Sequence, residues 1–218
     1  IGNFTSTIET EGRTKVIKHG ATVLATGAEE YKPTEYLYGQ HENIFTHMEL
    51  GEEIAKENEA VLNAETLVMI QCVGSRNEER NYCSRVCCGH AVKNALKLKK
   101  LNPDMRIYVL FRDMRTYGFR EDAYREACEL GVQFIRYEPE EKPEIEFIEN
   151  EGQFRLTVPD YILGKRLELD ADVLSLAAAV IPSEDTVELS GMFKVALSPD
   201  QYFKEAHVKL KPVEFATD

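Results

Sequence analysis

Four of the five cysteines lie close together in sequence, and this crowding limits what the chain can fold into more than any other feature. The group, here called the cysteine cluster, consists of Cys72, Cys83, Cys87 and Cys88. Such spacing is typical of a ligand set rather than of a spread disulfide framework, and the odd total argues against simple pairing. Thiolates that converge in this way suit soft metals, so the sequence indicates a zinc ion or an iron–sulfur cluster.

The spacing within the cluster predicts how the thiols are presented. Cys83 and Cys87 are four residues apart, so they would project from one face if residues 82–101 form a helix, with Cys88 displaced by one position. Cys72 must then approach from a different element. We expect the helix N-terminus and nearby cations to favour the thiolate forms. Those cations are Arg76, Arg80 and Arg85.

Other roles for these side chains stay open at this stage. The Cys-x10-Cys-x3-Cys-Cys pattern matches neither the Cys-x2-Cys pair of a zinc finger nor a ferredoxin run. Because buried free cysteines are common, a purely structural role is an alternative. His90 is either a fifth ligand or a polar helix residue, and we favour the latter. Cys128 occurs at a helical core spacing and is expected to be a packed thiol.

Composition excludes several classes of protein. With 218 residues, 43% of them apolar, the chain can bury a core as one large domain or one domain with an appendage. The net charge of -12 disfavours nucleic acid and anionic membrane surfaces as partners. The longest apolar stretch, residues 173–181, is far shorter than the roughly 20 residues of a membrane-spanning helix. The first residues include no initiator Met, so we expect a segment of a longer protein.

The hydrophobic patterning predicts an α/β fold. Strand-like and helix-like runs alternate from residue 66 onward, at 66–72, 82–101, 105–111, 120–130 and 132–137. This order predicts a parallel sheet with right-handed crossovers. Alternating runs then predict an antiparallel meander, and a last apolar run predicts a buried strand. Those runs are 145–149, 154–158 and 166–169 for the meander and 172–178 for the buried strand.

The first 64 residues are less regular, and the glycine motif of a dinucleotide-binding fold is missing. Strand-like stretches at 14–18 and 21–25 lead to a tight turn at Thr26-Gly27, and a helix is expected near 48–59. After the strand at 66–72, the place of Gly-x-Gly-x-x-Gly is taken by Val73-Gly-Ser-Arg76 and then by cysteines. This disfavours ordinary NAD binding there, because the phosphate loop has been exchanged for thiols.

Three segments closely resemble the flavin-containing A subunit of heterodisulfide reductase, a family of flavin- and iron–sulfur-containing electron-transfer subunits. They are Gln71-Cys-Val-Gly-Ser-Arg76, Tyr82-Cys-Ser-Arg-Val-Cys-Cys88 and Ala91-Val-Lys-Asn-Ala95. Weaker matches lie at 20–21, 25–27, 36–39 and 205–218. The resemblance implies a Rossmann-like, pseudo-nucleotide-binding domain of the thioredoxin reductase type. It also implies a division into 1–64 and 183–218, both belonging to an FAD-binding domain, and 65–182, which carries the cysteine cluster.

The resemblance further implies cofactors, site residues and partners. The cysteine cluster (Cys72, Cys83, Cys87 and Cys88) would ligate a 4Fe-4S cluster, and Lys93 would act near the flavin N5. Ala25, Thr26 and Gly27 match the strand end that abuts the flavin. The expected partners are other heterodisulfide reductase subunits and a hydrogenase or dehydrogenase electron donor, in the cytoplasm, with a homodimer as a further expectation. Because the glycine-rich FAD motif is absent from the sequence, we expect the chain by itself to hold FAD weakly.

Two functions from different classes follow. The leading hypothesis is an electron-transfer module that relays electrons between FAD and the iron–sulfur cluster. The alternative is a zinc-stabilised interaction domain without redox activity, in which the same thiolates close a structural site. A thiol–disulfide enzyme using Cys87 and Cys88 is disfavoured, because the Cys-x-x-Cys redox spacing is absent.

Overall fold

The computed structural model describes residues 2–215, which divide into two compact units. Unit 1 contains the described residues up to Ala28 together with those from Pro182 onward, and unit 2 is Glu29–Ile181. The whole cysteine cluster lies in unit 2. The last three residues of the C-terminal segment that resembles the heterodisulfide reductase family, 216–218, lie outside the described range.

Strands outnumber helices in the described chain. In order, the strands are β1 (Phe4–Thr10), β2 (Arg13–His19), β3 (Ala28–Glu30), β4 (Ile44–Thr46), β5 (Thr66–Val73), β6 (Arg106–Phe111), β7 (Gln133–Arg136), β8 (Glu144–Ile148), β9 (Gln153–Asp160), β10 (Lys165–Ala171), β11 (Val173–Ala178), β12 (Val180–Pro182), β13 (Glu205–His207) and β14 (Lys211–Phe215). The helices are α1 (His47–Ala55), α2 (Glu59–Leu62), α3 (Cys87–Leu101), α4 (Arg120–Glu129) and α5 (Thr186–Phe193).

A five-stranded parallel sheet forms the centre of unit 2. Its strand order is β4-β11-β5-β6-β7, and every neighbouring pair is parallel. The crossovers from β5 to β6 and from β6 to β7 run through α3 and α4. β5 and β11 are buried along almost their whole length, as the near-continuous apolar runs that form them require. The predicted α/β class with a parallel sheet is thus confirmed.

Helices cover one face of this sheet. Alternate residues of β5, such as Leu67 and Met69, pack with the apolar faces of α1, α3 and α4. On α3 these are positions at helical spacing, including Ala91, Ala95 and Leu98. A capping box in which Thr46 accepts from the Glu49 backbone N–H starts α1.

The antiparallel meander covers the other face. β8, β9 and β10 pair in the order β10-β9-β8. Phe154, Leu156 and Val158 alternate along β9 and pack with Val68 and Ile70, the β5 residues that point away from the helices. The predicted meander is therefore confirmed, and it encloses the parallel sheet between two layers.

Unit 1 consists of small antiparallel elements. β1 and β2 form a hairpin that is mostly exposed, and β13 pairs with β14. α5 ends at Lys194, whose left-handed backbone (φ 54°) stops the helix. Within residues 2–215, no helix is long and apolar enough to cross a membrane.

Two predictions for the first 64 residues are wrong. Residues 21–25, expected to be a strand, adopt no regular structure, and β2 pairs with the unpredicted β1 instead. The helix expected over 48–59 ends at Ala55, and the short α2 follows. The reason is the left-handed backbone at Glu57 (φ 56°), which breaks the helical hydrogen-bond series.

The helix expected over 82–101 begins only at Cys87, so Cys83 precedes it and does not share a helical face with Cys87. Side-chain bonds hold the preceding segment away from helical geometry. The Tyr82 hydroxyl donates to the Val180 carbonyl (2.9 Å), and the Val180 N–H donates to Ser84 Oγ (2.9 Å). These contacts join residues far apart in sequence, which local helix propensity does not register.

The carboxylate of Asp172 fastens the start of β5. It accepts from the backbone N–H groups of Glu65 (2.8 Å) and Thr66 (2.9 Å) and from Gln153 Nε2 (2.8 Å). We expect Asp172→Ala to lower the free energy of unfolding by about 2–4 kcal/mol, because it leaves donors unpaired next to the buried sheet. Urea unfolding followed by circular dichroism measures the loss.

The neighbouring Asp170 supplies the control for that measurement. Its carboxylate pairs with Arg155 Nε at 2.8 Å on the surface of the meander. Since exposed ion pairs contribute little, Asp170→Ala should cost less than about 1 kcal/mol. Equal losses in the two variants would contradict the role given to Asp172.

Candidate metal centre

The cysteine cluster gathers at the carboxyl edge of the parallel sheet. Cys72 lies at the end of β5, Cys83 in the loop that follows, and Cys87 and Cys88 at the start of α3. The chain leaves β5 toward β6, whereas β11 lies on the other side of β5. Ligands of open α/β sheets bind at such points, outside the carboxyl ends of the strands.

The backbone at Cys72 departs from strand geometry. Ile70 faces Leu176 and Val73 faces Ala178, so β5 carries one residue more than β11 in between. Cys72 occupies this bulge with a left-handed backbone (φ 63°). A bulge re-aims a side chain, and such a conformation costs a non-glycine residue roughly 1 kcal/mol or more. Backbone strain of this kind concentrates at functional sites.

The loop that carries Cys83 is fastened at its start. Gly74 has a left-handed backbone (φ 71°), and a Cβ there would overlap the Tyr31 ring. The Arg80 guanidinium lies 4.4 Å from the centroid of the same ring and donates to the Gly74 carbonyl (3.3 Å). Arg80 therefore holds the loop and does not line the cavity among the thiols. Further along, the Arg85 N–H donates to Cys83 Sγ at 3.3 Å.

The two adjacent cysteines are the first residues of α3, and both are buried. Cys87 Sγ lies 3.8 Å from the Ala178 carbonyl oxygen, and Cys88 Sγ lies 3.9 Å from that of Asp113. These distances tie the helix start to the ends of β11 and β6. All four thiols line one small cavity, here called the thiol cavity.

A carboxylate between two arginines lines the same cavity. Asp113 accepts from Arg76 Nη1 and from Arg115 Nε (2.7 Å), and Arg76 Nη1 also lies 3.9 Å from Cys72 Sγ. The Arg115 side chain in turn bonds the Cys83 thiol. The sequence pointed to Arg76 but not to Asp113 or Arg115. Their place directly after β6, the neighbour of β5, is the signal that could have found them.

Burial governs the protonation of the thiols. It raises the pKa of Cys72 and Cys88, and it raises that of Cys87 to about 12, with the other thiols adding to the effect at Cys87. Arg76 opposes the shift at Cys72 without overcoming it. The expectation that nearby cations and the helix N-terminus favour thiolates is therefore wrong for the metal-free chain.

The donor set fits an iron–sulfur cluster better than a single ion. Within residues 2–215, no three His, Cys, Asp or Glu side chains are gathered to hold one metal ion. A single zinc ion would require sulfur atoms roughly 4 Å apart around one point. In a 4Fe-4S cluster each thiolate binds a different iron, so four thiols spread around one cavity suit it. The thiol cavity holds about 10 Å³, about one water, so the side chains must move to admit a cluster.

The remaining predicted residues of unit 2 lie outside the thiol cavity. Lys93 is exposed on α3 and lines a separate cleft of about 550 Å³. His90 lines that cleft too, as a polar helix residue would. Cys128 is exposed, so its expected packing in the core is wrong; the buried residue of that turn is Ala127.

Ala25, Thr26 and Gly27 belong to unit 1. All three are exposed and lie between β2 and β3. The Thr26 carbonyl accepts from Ser183 Oγ at 3.4 Å, and Gly27 has a left-handed backbone (φ 74°). The tight turn expected there is present.

A buried polar chain that the sequence analysis missed supports the end of β5. His47 Nδ1 lies 2.7 Å from Ser175 Oγ, and its Nε2 lies 2.9 Å from Gln71 Nε2. Asn94 donates to the His47 carbonyl (2.9 Å), and the Tyr137 hydroxyl donates to the Gln71 carbonyl (2.7 Å). Gln71 directly precedes the first cluster cysteine. Polar residues inside two otherwise apolar strand runs were the available signal.

Solved structures share this fold. Thioredoxin reductase of Lactococcus lactis matches 99% of the chain and 64% of its own length, with a TM-score of 0.51 and 16% identity. The T. acidophilum enzyme matches 97% and 63%, with a TM-score of 0.50 and 12% identity. The fold therefore defines the chain as an α/β protein of the thioredoxin reductase class.

Curated relatives narrow the class to a family. The iron–sulfur A subunit of a CoB–CoM heterodisulfide reductase from Methanocaldococcus jannaschii is 36% identical over 93% of the chain and 33% of the relative. The A subunit of a ferredoxin:CoB-CoM heterodisulfide reductase from Methanosarcina acetivorans is 34% identical over 91% and 30%. No family model matches. The chain belongs to the heterodisulfide reductase A subunits and spans about a third of the length of these relatives.

The packing of Gly74 against Tyr31 generates a stability prediction. We expect Gly74→Ala to lower the free energy of unfolding by about 2–4 kcal/mol, since it combines backbone strain with overlap against the ring. Gly152→Ala is the matched control, because Gly152 has a similar φ of 69° with nothing near its Cβ position. The control should lose only about 1 kcal/mol in the same urea titration. Similar losses at both positions would exclude the steric contribution.

Burial of His47 generates a pH prediction. Burial lowers its pKa to about 3, whereas an unfolded histidine titrates near about 6.5. As pH falls below about 6.5 the unfolded state binds the proton first, so stability declines toward pH 3 by about 1.4 kcal/mol per unit. Above pH 6.5 this contribution is fully present.

Urea titrations at pH 7 and pH 5 test this prediction. The loss of stability between the two values should be about 1–2 kcal/mol smaller in His47→Gln than in the unaltered chain. His207→Gln, at an exposed histidine, should leave the loss unchanged. An unaltered pH dependence in His47→Gln would show that another group is responsible.

Proposed function

We propose that the chain is an electron-transfer module of a heterodisulfide reductase in which the cysteine cluster holds a 4Fe-4S cluster. One observation carries the proposal: four thiols from three segments line one cavity at the carboxyl edge of the sheet. The family supports it, because relatives are named iron–sulfur subunits. When bound, FAD would supply two-electron chemistry and the cluster would supply one-electron steps.

The residues around the thiol cavity have distinct tasks in this proposal. The cysteine cluster binds the irons, and burial of Cys87 and Cys88 excludes water. Arg76 and Arg115, held by Asp113, place positive charge beside a ligand set that becomes anionic on binding. Hydrogen bonds and charges near the sulfurs are the means by which a protein sets a cluster's potential.

We place the flavin contacts at Lys93 and at the turn of Ala25, Thr26 and Gly27. Lys93 is the residue to which the family resemblance gives the flavin N5. The exposed ammonium lies on a cleft whose walls include Val86 and Leu96. An apolar wall with a cation suits a flat ring system that gains negative charge on reduction. A left-handed glycine, as at Gly27, allows close approach of a ligand to the backbone.

The rest of the proposal concerns the longer protein. Residues 1–64 and 183–218 would contribute to an FAD-binding domain, and 65–182 would carry the cluster. Other heterodisulfide reductase subunits, with a hydrogenase or dehydrogenase donor, would exchange electrons with it in the cytoplasm. A Methanococcus maripaludis relative, named as the A subunit of an H2/formate:CoB-CoM heterodisulfide,ferredoxin reductase, supports this kind of donor.

Metal analysis of the chain tests the cluster directly. The protein is purified without oxygen and reconstituted with iron and sulfide, and then iron, acid-labile sulfide, zinc and the visible spectrum are measured. We expect about four irons and about four sulfides per chain and a brown colour that bleaches on reduction. Cys87→Ser combined with Cys88→Ser should abolish both, since it removes half of the ligands.

Cys128→Ser is the matched control, because this thiol is exposed and does not line the thiol cavity. It should keep the full iron content and the spectrum. Zinc as the bound metal would favour the structural domain over the relay. Iron retained in the double variant at the level of the control would contradict the assignment of the cysteine cluster.

A further inference from the structure

A large cleft of unit 2 lies next to the thiol cavity and has a different character. It measures about 790 Å³ and follows the carboxyl ends of β5, β6 and β7. Cys72, Ser75 and Arg76 line both the cleft and the thiol cavity. We call it the strand-end cleft. A volume of this size is within the range of small-molecule sites.

Arg112 is the residue of this cleft that points to a ligand. It directly follows β6, and its Nη1 donates to the Arg76 carbonyl at 2.8 Å. Its Nε is buried and has no hydrogen-bond partner among residues 2–215. No carboxylate of the described chain pairs with its guanidinium, in contrast to Arg76 beside Asp113. Buried polar groups in native proteins are nearly always bonded, so an anionic partner is missing here.

Two further donors face the same space. Burial raises the pKa of Tyr36 to about 12, so its hydroxyl stays protonated, and no residue within 2–215 bonds it. Tyr36 and Leu37 both have left-handed backbones (φ 58° and 59°), which fixes an unusual turn at the wall of the cleft. Lys142 lies exposed at the mouth, without an ion pair in the described chain.

The cleft also contains acceptors and apolar walls. Glu35 already accepts from the Thr34 N–H (2.9 Å) and from Tyr31 (3.4 Å). Two other carboxylates, those of Glu78 and Glu140, lie at the rim. Pro139 and Pro143 contribute flat apolar surface. A ligand that complements this arrangement has an anionic group, hydroxyl groups and a flat ring.

We propose that the strand-end cleft binds a nucleoside monophosphate, with its phosphate on Arg112 and Tyr36. In parallel sheets of this type, nucleotides lie outside the carboxyl strand ends, and an arginine near the second strand end accepts a phosphate monoester. The loop after β5 lacks the glycines that cradle a pyrophosphate, which selects a mononucleotide over a dinucleotide. The inference goes beyond the proposed electron relay and does not depend on a bound cluster.

Isothermal titration calorimetry of the 218-residue chain with adenosine monophosphate tests the proposal. Adenosine and inorganic phosphate are titrated separately to divide the contributions of ring and anion. We expect saturable one-to-one binding of adenosine monophosphate, weaker binding of phosphate and still weaker binding of adenosine. Because a hydrogen bond to a charged group is lost, Arg112→Gln should weaken binding at least about tenfold, and Tyr36→Phe about two- to tenfold.

Arg136→Gln is the matched control, because Arg136 is exposed, pairs with Glu138 and does not line the cleft. Its affinity should equal that of the unaltered chain. Circular dichroism establishes that each variant is folded, and Arg112→Lys, which keeps the charge but not the fork, should recover part of the affinity. Absence of saturable binding up to about 10 mM would overturn the proposal, as would equal affinities in folded Arg112→Gln. Phosphate binding as tightly as adenosine monophosphate would overturn the nucleoside assignment.

Discussion

Burial of β5 between two layers is the constraint on which the rest of unit 2 depends. Its side chains alternate between the helices, which take Leu67 and Met69, and the meander, which takes Val68 and Ile70. A slip of one residue would exchange every side chain between the two faces, so the register is firmly set. The register in turn sets where the strand ends, and therefore where the bulge at Cys72 aims its thiol.

The same edge of the sheet serves different chemistry than in a dinucleotide-binding protein. A pyrophosphate needs free N–H groups and glycines at the helix start, and α3 begins instead with two buried thiols. In the metal-free chain these thiols hold their protons, because burial raises the pKa of Cys87 and Cys88. Metal binding must release those protons, so it depends on pH and on the cations supplied by Arg76 and Arg115.

The sequence predicted the architecture of unit 2 well and the geometry of the site less well. Long apolar runs such as 66–72 are buried whatever surrounds them, so periodicity located the strands of the parallel sheet and of the meander. The segment before Cys87 was predicted as helix because its extended path depends on contacts with Val180, 96 residues beyond Ser84. Asp113 and Arg115 were missed for the same reason, since only the pairing of β6 with β5 brings them to the thiols.

Asp113 decides how positive charge is divided along the sheet edge. β5 and β6 are each followed within a few residues by arginine, and adjacent unpaired guanidiniums would repel one another across a partly buried space. By accepting from Arg76 and Arg115, Asp113 neutralises part of this charge beside the thiols. Arg112 receives no such partner within the described chain, although its Nη1 is fixed on the Arg76 carbonyl. The structure thus separates a compensated cationic surface at the thiol cavity from an uncompensated one in the strand-end cleft, and this asymmetry gives two adjacent cavities different ligand preferences.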